Sequence, residues 1–416
     1  MNVAIVDGDA AYPPSNGKRL RTLNLMIRLA RRHRITYIAR CHDGPAAIEK
    51  AADYLRENGI ESVLVDHPLP RKKGLAFCAR LAANLLSPLP YSVTSFDSPL
   101  LRRVVREHED RRRVDVWQFE WTPFLEMVQG GCAPRVLIAH NIDSLIWRRY
   151  CETERRLMRR WFLHRQWRKF ESYERRTFRL ADRVVTVSDD DADLACDLYG
   201  IDKVEVVDNG VDTAFYAAAV EGRGMFSPRR SDRVLFLGSL DWRPNLDAVQ
   251  LLLDGIFPAV RAQIPSARLC IVGRKPPEAL RRRVAATDFA ELHADVADVR
   301  PYLAEAGVMA VPLRIGGGSR LKILESLAAA LPVVATRVGA EGLRLENGRD
   351  LMVVERPEDM AAALVRCILA PEEARRLAEH GRAVVREHYD WNVLADKLEA
   401  LWQSVARRAD GLVPVG

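Results

Sequence analysis

Short runs of apolar, mostly β-branched residues alternate along this chain with longer stretches in which apolar residues recur every three or four positions. The short runs predict buried strands, and the longer stretches predict amphipathic helices. Seven strands are predicted in the first half, at 3–6, 35–39, 62–65, 114–119, 136–139, 183–187 and 204–207. Five are predicted in the second half, at 234–237, 268–272, 308–311, 333–335 and 351–354. This alternation indicates an α/β fold with parallel sheets wrapped by helices.

Two domains are predicted, because 416 residues exceed what one hydrophobic core normally supports. The two groups of strands are separated by the turn sequence DNGVD at 208–212. A small-residue stretch with Gly and Pro follows at 217–233, and we interpret it as a connector. The predicted domains are residues 1–209 and 210–388. Ligands of parallel sheets bind beyond the carboxyl ends of the strands, so two facing sheets would place an active site in a cleft between them.

The composition excludes several classes of protein. With 48% hydrophobic and 29% charged residues, the chain is globular rather than disordered. Its seven cysteines are odd in number and have no close pair, which argues against a disulfide framework or a zinc site and favours a reducing compartment. The first residues lack the apolar core of a signal peptide, and no apolar run reaches the ~20 residues of a membrane span. We therefore expect a cytoplasmic protein, peripheral to a membrane at most.

The net charge of +7 is concentrated in one segment. Residues 147–183 contain thirteen Lys or Arg and five Asp or Glu, and the remainder is about neutral. The apolar residues of this segment recur at helical intervals and predict a long amphipathic helical region with arginines on its other side. They are Leu157, Trp161, Trp167, Phe170 and Phe178. A second basic helix is predicted at 18–34.

Basic amphipathic helices suit anionic lipid headgroups, so these two regions predict contact with an anionic membrane surface. A merely solvated basic face is the alternative. Nucleic acid is not expected as a partner, because neither an aromatic-interleaved strand platform nor a helix-turn-helix pattern accompanies the charge.

The segment 311–336, VPLRIGGGSRLKILESLAAALPVVAT, carries the most informative chemistry. Gly316, Gly317 and Gly318 follow a predicted strand and allow backbone amides to approach a ligand closely. Ser319 is expected to cap a helix at 320–329, whose first amides and dipole attract an anion.

Three further side chains complete this pattern. Arg320 and Lys322 would supply mobile positive charge, and Glu325 can accept two hydrogen bonds from a vicinal diol such as a ribose. Together these residues predict a nucleoside diphosphate site. A glycine-rich turn before an ordinary amphipathic helix is the alternative, since neither the dinucleotide spacing nor the Walker spacing is present.

An ordered set of motifs covers nearly the whole chain. In the second half it comprises FLGSLDWRPN from 236, IVGRKP from 271, DVRPYL from 298, PLRIGGGSRLKILESLA from 312 and HYDW from 388. In the first half it comprises PPSNGKRLRTLNLMIRLARRHRIT from 13, AHNIDSLIWRR from 139, YERRTFRLADRVVTVS from 173 and VDNGVDTAFY from 207. This set resembles the family four retaining glycosyltransferases, and the resemblance implies the GT-B fold, with two Rossmann-like doubly wound domains facing across a cleft. It also implies that the last helix, at 389–416, packs back on the first domain.

The resemblance implies transfer of a sugar from a nucleotide diphosphate sugar to a hydroxyl acceptor with retention, and it requires neither a metal nor another cofactor. Members carry two glutamates eight positions apart, which contact the donor sugar and the ribose. Glu325 fills the second place, whereas Gly317 stands in the first and cannot supply a carboxylate. Members also often carry Arg and Lys where this chain has Ser239 and Pro244.

The same resemblance assigns further roles. Arg243, with Arg320 and Lys322, would stabilise the leaving group. Arg274 and Lys275 follow a strand near the position where the family binds the nucleotide base or diphosphate, with an exposed basic turn as the alternative.

In the acceptor domain, Asn16 and Gly17 occupy the position of the loop that faces the donor phosphates and the acceptor, although a simple turn after two prolines is the alternative. His140 ends a predicted strand and matches a position that contacts the donor sugar, although a lone histidine is more often structural. The predicted catalytic residues are thus Arg320, Lys322 and His140. Glu174, before a strand, is expected to be a charge on a helix surface rather than a general base.

The acceptor is predicted from charge alone. The basic helices and the apolar, basic stretch 71–90 suit a lipid-linked acceptor in cell-envelope polysaccharide or glycolipid synthesis. Two other interpretations stay open. One is a nucleotide-sugar epimerase of the same architecture, and the other is a non-catalytic sugar-nucleotide or membrane-binding relative, which Gly317 favours.

Overall fold

The chain folds into two compact units. The computed structural model describes residues 1–128, 130, 132–221, 230–314 and 320–411. The first unit consists of Met1–Asp208 together with Leu394–Gly416, and the second of Asn209–Val393.

The first unit contains a seven-stranded parallel sheet. Its strands are β1 (Asn2–Asp7), β2 (Arg34–Cys41), β3 (Glu61–Asp66), β4 (Val116–Phe119), β5 (Arg135–Ala139), β6 (Arg183–Thr186) and β7 (Val204–Val206). Their spatial order is β3-β2-β1-β4-β5-β6-β7, and every pair is parallel. The order reverses between β1 and β4. In sheets of this type that reversal is where ligands bind.

In the part of the first unit that the structure describes, eight helices and a 3₁₀ turn at Thr122–Met127 connect these strands. They are α1 (Gly17–Leu29), α2 (Pro45–Glu57), α3 (Leu75–Leu86), α4 (Tyr91–Phe96), α5 (Pro99–Arg111), α6 (Asp143–Thr153), α7 (Leu157–Leu180) and α8 (Asp189–Tyr199). Asn16 begins α1, because its side chain accepts a hydrogen bond from the backbone N–H of Arg19 at 3.0 Å. Gly200, with φ 62°, ends α8 in the left-handed region.

The two predicted basic helices differ from the observed elements. The helix predicted at 18–34 ends at Leu29, and Arg34 already belongs to β2. The region predicted as one amphipathic helix is divided between α6 and α7 by residues 154–156, and Arg183 begins β6. Phe170 and Phe178 of α7 are buried as its pattern predicted, whereas Leu157 and Trp161 are exposed.

The second unit contains a six-stranded parallel sheet. Its strands are β8 (Arg230–Leu237), β9 (Arg268–Gly273), β10 (Ala290–Ala294), β11 (Ala306–Val311), β12 (Val333–Thr336) and β13 (Met352–Val354). Their order is β10-β9-β8-β11-β12-β13, so this order reverses between β8 and β11. Residues 234–237 of β8 and the interiors of β9 and β11 are buried, which is why they read as continuous apolar runs.

The described residues of this unit form nine helices, with a π-helical turn at Leu252–Ile256 and a 3₁₀ turn at Pro357–Asp359. They are α9 (Thr213–Glu221), α10 (Arg243–Leu251), α11 (Phe257–Gln263), α12 (Glu278–Ala285), α13 (Arg300–Glu305), α14 (Leu321–Ala328), α15 (Arg337–Ala340), α16 (Met360–Leu369) and α17 (Pro371–His388).

A last helix, α18 (Trp391–Gly411), belongs to the first unit from Leu394 onward. Its Trp402 is buried, and the indole Nε1 donates to Gln118 Oε1 of β4 at 2.9 Å. Glu399 lies 2.7 Å from His33 Nε2, and Asp396 accepts from Arg32 at 2.8 Å. The helix therefore completes the core and one charged surface of the unit. None of the helices in the described ranges is both long enough and apolar enough to cross a membrane.

Two sequence predictions about the second unit are wrong. The strand β10 was not predicted, because it lies at the edge of the sheet and alternates Glu291 and His293 with apolar residues. The stretch 217–233 was interpreted as a connector. It instead contains the second half of α9, up to Glu221, and the start of β8 at Arg230.

Candidate functional site

In the first unit, buried polar side chains meet where β1, β4 and β5 end, at the reversal of the strand order. Glu120, directly after β4, is buried and accepts three side-chain hydrogen bonds. The donors are Thr22 Oγ1 at 2.7 Å, Gln118 Nε2 at 2.6 Å and His140 Nε2 at 2.9 Å. His140 follows β5, and only 13% of its side chain is exposed. The structure thus gives His140 a charged partner that the sequence did not predict.

The pKa of Glu120 determines the tautomer of His140. Burial acts to raise the pKa of Glu120, but the hydrogen bond from His140, the charge of Lys18 and the Thr22 hydroxyl lower it to about 2. An ionised carboxylate can only accept, so His140 Nε2 carries the proton of this hydrogen bond. Burial lowers the pKa of His140, although Glu120 opposes that shift, so the ring is neutral at pH 7. Its Nδ1 is then a hydrogen-bond acceptor.

Beside this pair, Asp7 ends β1 and forms an ion pair with Lys18 of α1. Asp7 is buried and also accepts from the Tyr37 hydroxyl at 2.9 Å, and burial raises its pKa despite the opposing charge of Lys18. Arg19 binds both carboxylate oxygens of Asp9, at 2.6 and 2.9 Å. These contacts fix the loop between β1 and α1.

Asn16 and Gly17, predicted for the loop that faces phosphates and acceptor, form the start of α1. Asn16 Oδ1 accepts the backbone N–H of Arg19 at 3.0 Å, so the Asn16 side chain acts as a helix cap. The two residues lie in the segment that leads from Asp7 to Lys18.

Glu174 is fully buried, which corrects the expectation of a surface charge. Its carboxylate accepts the backbone N–H groups of Asp143 at 2.8 Å and Ser144 at 3.0 Å, at the start of α6, and the Tyr199 hydroxyl at 2.6 Å. Burial and the neighbouring carboxylate of Asp143 raise its pKa. The side chain of Asp143 accepts from the Trp121 indole at 2.5 Å, and its pKa is also raised by burial. Glu174 therefore holds the start of the helix that follows His140.

In the second unit, Lys322 and Asn245 meet beyond the ends of β8 and β11. Lys322, in the first turn of α14, donates to Asn245 Oδ1 at 2.7 Å, and its Nζ lies 4.7 Å from the centroid of the Phe236 ring. Asn245 is buried and donates to the Ser239 carbonyl at 2.8 Å. Burial lowers the pKa of Lys322 to about 7, although the charge of Glu325 opposes the shift. An anion bound here would favour the protonated form of Lys322.

Glu325 follows Lys322 by three positions and therefore lies on the same face of α14. It accepts the Tyr216 hydroxyl of α9 at 3.0 Å, and burial raises the pKa of the carboxyl against the effects of Tyr216 and Lys322. One carboxylate accepts up to about four hydrogen bonds, so Glu325 retains capacity for the hydroxyls of a diol.

Two glycines make this arrangement possible. A Cβ atom on Gly238, after β8, would lie 2.8 Å from Asn245 Nδ2 and 2.9 Å from Lys322 Nζ. A Cβ atom on Gly273, at the end of β9, would lie only 2.1 Å from the Gly238 carbonyl oxygen. Any side chain at Gly238 would thus displace the polar groups of the site.

Arg320 differs from its prediction as a mobile charge. It is 6% exposed, and its guanidinium donates to the Val338 carbonyl at 2.8 Å and to Glu341 at 3.2 Å. It also occupies the N-cap position of α14, which had been predicted for Ser319. Arg320 therefore joins the start of α14 to α15.

The glycine-rich loop itself, with Gly316, Gly317, Gly318 and Ser319, lies outside the described residues. The role predicted for it as a phosphate cradle stays a prediction. The described residues on both sides of the loop are Arg314, which binds Asp247 of α10 through Nε at 3.0 Å, and Arg320.

Arg243, Arg274 and Lys275 are exposed. Arg243 begins α10. Lys275 has a positive φ of 52°, its backbone N–H donates to Asp295 at 2.8 Å, and its Nζ lies 3.9 Å from Asp241. The positions of Arg274 and Lys275 directly after β9 are compatible both with a nucleotide contact and with the basic turn given as the alternative.

The partners that sequence reasoning missed are Asp7, Lys18, Thr22, Glu120, Tyr216 and Asn245. One sequence signal was present for two of them, since Asp7 and Glu120 come at or directly after the end of an apolar strand. Polar residues in that position line the ligand edge of a parallel sheet.

Within the described residues, one group of side chains has the spacing of a metal site. It consists of Cys270, Glu291 and His293, whose potential ligand atoms lie within 4.8 Å of one another. Arg233 already pairs with it, because its guanidinium contacts Cys270 Sγ at 3.7 Å and forms ion pairs with Glu291 and Glu305. Burial raises the pKa of Cys270 to about 12, so the thiol is protonated at neutral pH. A fixed cation and a protonated thiol both oppose metal binding.

Two reversed parallel sheets with polar side chains at their carboxyl ends define a protein built from two Rossmann-like units. Comparison with known families agrees. Residues 15–215 match Glycosyltransferase Family 4, and residues 231–369 match Glycosyl transferases group 1. The MMP alpha-(1->4)-mannosyltransferase of Mycolicibacterium hassiacum is 27% identical over 273 residues, which are 60% of this chain and 61% of that protein. The chain thus aligns with less than two thirds of that relative.

Several solved structures share this fold. HepE of Anabaena in complex with UDP has a TM-score of 0.65 at 14% identity, with 97% of this chain and 100% of that chain covered. Sucrose-phosphate synthase of Thermosynechococcus elongatus has a TM-score of 0.68 at 17% identity, with 98% and 100% covered. WaaG, a glycosyltransferase involved in lipopolysaccharide biosynthesis, has a TM-score of 0.61 at 16% identity, with 96% and 99% covered. The chain has the GT-B fold, and both of its units carry glycosyltransferase domains.

Proposed function

We propose that this protein transfers a glycosyl group from a nucleoside diphosphate sugar to a hydroxyl acceptor. The observation that carries the proposal is the pair of side chains on α14. Lys322 and Glu325 lie on one face of α14, the helix that follows the glycine-rich segment. Lys322 donates to Asn245, and Glu325 accepts from Tyr216. A half-buried cation and a half-buried carboxylate three positions apart match the two ends of a nucleoside diphosphate, the diphosphate and the ribose.

Lys322 would act on the leaving group. Departure of a nucleoside diphosphate develops negative charge, and a preorganised cation lowers the energy of that state. With a pKa of about 7, the free enzyme holds this lysine partly neutral, and binding of the dianion draws in the proton. Asn245 and the Phe236 ring fix the ammonium before the substrate arrives, so little reorganisation is needed.

Glu325 would accept the ribose hydroxyls through its carboxylate, with Tyr216 holding one oxygen. We assign His140, through the acceptor lone pair on Nδ1, to a hydroxyl of the donor sugar, with Glu120 fixing its tautomer. Arg320 would act as a positioning residue for the start of α14, because its guanidinium is committed to Val338 and Glu341.

The finer assignments are also proposals. We infer a uridine diphosphate sugar donor, supported by the HepE complexes with UDP and UDP-glucose. We infer retention of configuration, with the departing phosphate assisting deprotonation of the acceptor on the same face and without a metal. A role in cell-envelope polysaccharide or glycolipid synthesis at the cytoplasmic face of the membrane, on a lipid-linked acceptor, is supported by the likeness to WaaG and by the basic charge of 147–183.

A thermal-shift panel of uridine, guanosine and adenosine diphosphate sugars tests the donor site, because a ligand that binds only the folded state raises the melting temperature by mass action. One nucleotide should stabilise the wild type and leave Lys322→Met and Glu325→Gln unshifted. Matched controls are Arg349→Met and Glu372→Gln, which change exposed charges of the same unit and should keep the full shift. A stabilisation that persists in both site variants would contradict the assignment.

The stabilising donor is then incubated with the enzyme alone and followed by nuclear magnetic resonance. Slow hydrolysis or no change, with transfer once a sugar acceptor is added, fits a transferase. Rapid conversion to an epimeric donor without acceptor would establish the epimerase alternative. Binding of donor with no conversion under any acceptor would indicate the non-catalytic alternative.

A further inference from the structure

Large apolar side chains are exposed where α3 and the beginning of α7 lie together. Leu75 and Leu86 of α3 are 89% and 92% exposed, and Leu157, Met158 and Trp161 of α7 are 81%, 78% and 48% exposed. These five residues are called the α3–α7 surface below. A cluster of large apolar residues in contact with water, unlike a single one, marks a site of interaction.

The sequence of α3 shows that the exposed stripe is regular. Leu75, Ala79, Ala82 and Leu86 follow one another at helical spacing and lie on one face, and all four are exposed. Asn84, on the other side, is the one residue of the helix that is buried. A helix of a soluble protein normally turns its apolar face inward, whereas α3 turns an apolar face outward.

Hydrogen bonds join the two helices into one surface. Asn84 Oδ1 accepts from Gln166 Nε2 of α7 at 2.9 Å, and the Leu85 carbonyl accepts from Arg165 at 3.2 Å. The Arg165 guanidinium in turn lies 5.3 Å from the centroid of the Trp161 ring. The Leu85 carbonyl, one position before Leu86, and the Trp161 ring are therefore neighbours of the same arginine.

Positive charge surrounds this apolar surface. Three exposed cations precede α3, and four more lie in and before the first turn of α7. They are Arg71, Lys72, Lys73, Arg155, Arg156, Arg159 and Arg160. Glu154 is the one acidic residue of segments 71–86 and 154–161, and it lies 3.5 Å from Arg159.

We propose that the α3–α7 surface docks on an anionic phospholipid bilayer, with its apolar side chains in the acyl region and its cations among the headgroups. This combination of an apolar face and a basic border is what interfacial helices present to membranes, and each part strengthens binding by the other. A second copy of the chain is a poor occupant, because seven cations would face seven cations.

The same argument excludes α1, the other helix whose basic residues had suggested membrane contact. Arg19 pairs with Asp9, the buried Arg21 donates to the Val207 carbonyl, and Arg32, just beyond α1, pairs with Asp396 and Glu399. Most of these cations stabilise the first unit internally, so we assign the membrane contact to the α3–α7 surface.

Flotation with vesicles tests the proposal without any sugar substrate, so its outcome is independent of the proposed transfer. The full chain should float with vesicles containing about one third phosphatidylglycerol at low salt, should float much less with neutral phosphatidylcholine, and should lose most binding at high salt. Replacing Leu86, Leu157 and Trp161 by Ser should lower partitioning at least tenfold. The matched control, Leu100→Ser with Leu369→Ser, changes other exposed leucines and should float as the wild type does.

A second variant keeps the test decisive if the triple variant folds poorly. Trp161→Phe retains an aromatic side chain, and it should float normally while losing much of the fluorescence quenching that bromine-labelled acyl chains cause in the wild type. Failure of the wild type to float at low salt would overturn the proposal, as would flotation of the triple variant at the wild-type level. Binding of nucleic acid in place of vesicles, or a dimer that the triple variant abolishes, would also overturn it.

Discussion

Glu120→Gln tests whether the polar network around Glu120 in the first unit contributes to stability and to activity. Glutamine has nearly the shape of glutamate, but it can accept only through one oxygen. That oxygen can serve Thr22 and His140, and the new amide then faces Gln118 Nε2, donor against donor. Gln118 cannot flip to relieve the conflict, because its Oε1 accepts the Trp402 indole at 2.9 Å.

The expected loss of stability follows from two routes. Two hydrogen bonds lose charge assistance, at roughly 1 kcal/mol each, and one buried donor is left without an acceptor, at about 1–3 kcal/mol. Independently, a pKa of about 2, against 4.5 for an unperturbed glutamate, corresponds to about 3 kcal/mol of stability at neutral pH. Both routes give a loss of about 3–5 kcal/mol, or about 10 °C in the melting temperature of a unit of this size.

Calorimetric melting at pH 7 measures this loss, with Glu57→Gln as a control for an exposed glutamate. The contribution of Glu120 should be complete above its unfolded pKa and should decline as the pH falls toward 2, so the two proteins should converge in acid. In transfer assays, His140→Ala and Glu120→Gln should each lower kcat/KM, and the double variant should be no worse than the poorer single variant. A melting temperature within 2 °C of wild type, or additive kinetic losses, would refute the reasoning.

Three further predictions concern the second unit and the neighbouring carboxyl groups of Asp143 and Glu174 in the first unit. Lys322→Met should lower kcat/KM about 10²–10³-fold, and calorimetric titration of the wild type should show diphosphate affinity falling above pH 7, as Lys322 in the free protein loses its proton. Gly238→Ala should reduce activity, because its Cβ would meet Asn245 Nδ2 at 2.8 Å and Lys322 Nζ at 2.9 Å and displace both, whereas Gly273→Ala, 2.1 Å from a backbone oxygen, should also lower the melting temperature by several degrees. The raised pKa values of Asp143 and Glu174 mean that stability falls as the pH rises from their unfolded values through their folded ones, so Asp143→Asn should flatten this fall in urea titrations at pH 5 and 8.

The architecture could be predicted from the sequence because most strands are buried on both faces. Of the thirteen strands in the described residues, every one but β10 was predicted, most of them from short apolar runs, and their alternation with helices indicated parallel sheets. The exception, β10, lies at a sheet edge with Glu291 and His293 partly exposed, so its pattern resembles a loop. Fewer side chains of an edge strand are buried, so its sequence shows a weaker apolar pattern.

The site could be predicted only where its residues are close in sequence. Lys322 and Glu325 were found because they lie on one short helix after the glycines. Their partners were not found, because Asn245 lies 77 positions from Lys322 and Tyr216 lies 109 positions from Glu325. Tyr216 also belongs to a helix next to a segment read as a connector. The order of the strands in the sheet determines which distant residues come into contact, and a single sequence does not specify that order.

The two ends of α7 show why a hydrophobic period is an incomplete predictor. The pattern that contains Phe170 and Phe178 continues without interruption to Leu157 and Trp161, so the sequence predicts one buried face along the helix. Phe170 and Phe178 are covered by the rest of the unit, whereas Leu157, Met158 and Trp161 stay exposed although α6 packs against α7. The hydrophobic period identifies the apolar face of a helix, but it does not show which other elements of the protein pack against that face. An apolar face that the first unit does not cover, bordered by arginines, then predicts a partner that is both apolar and anionic.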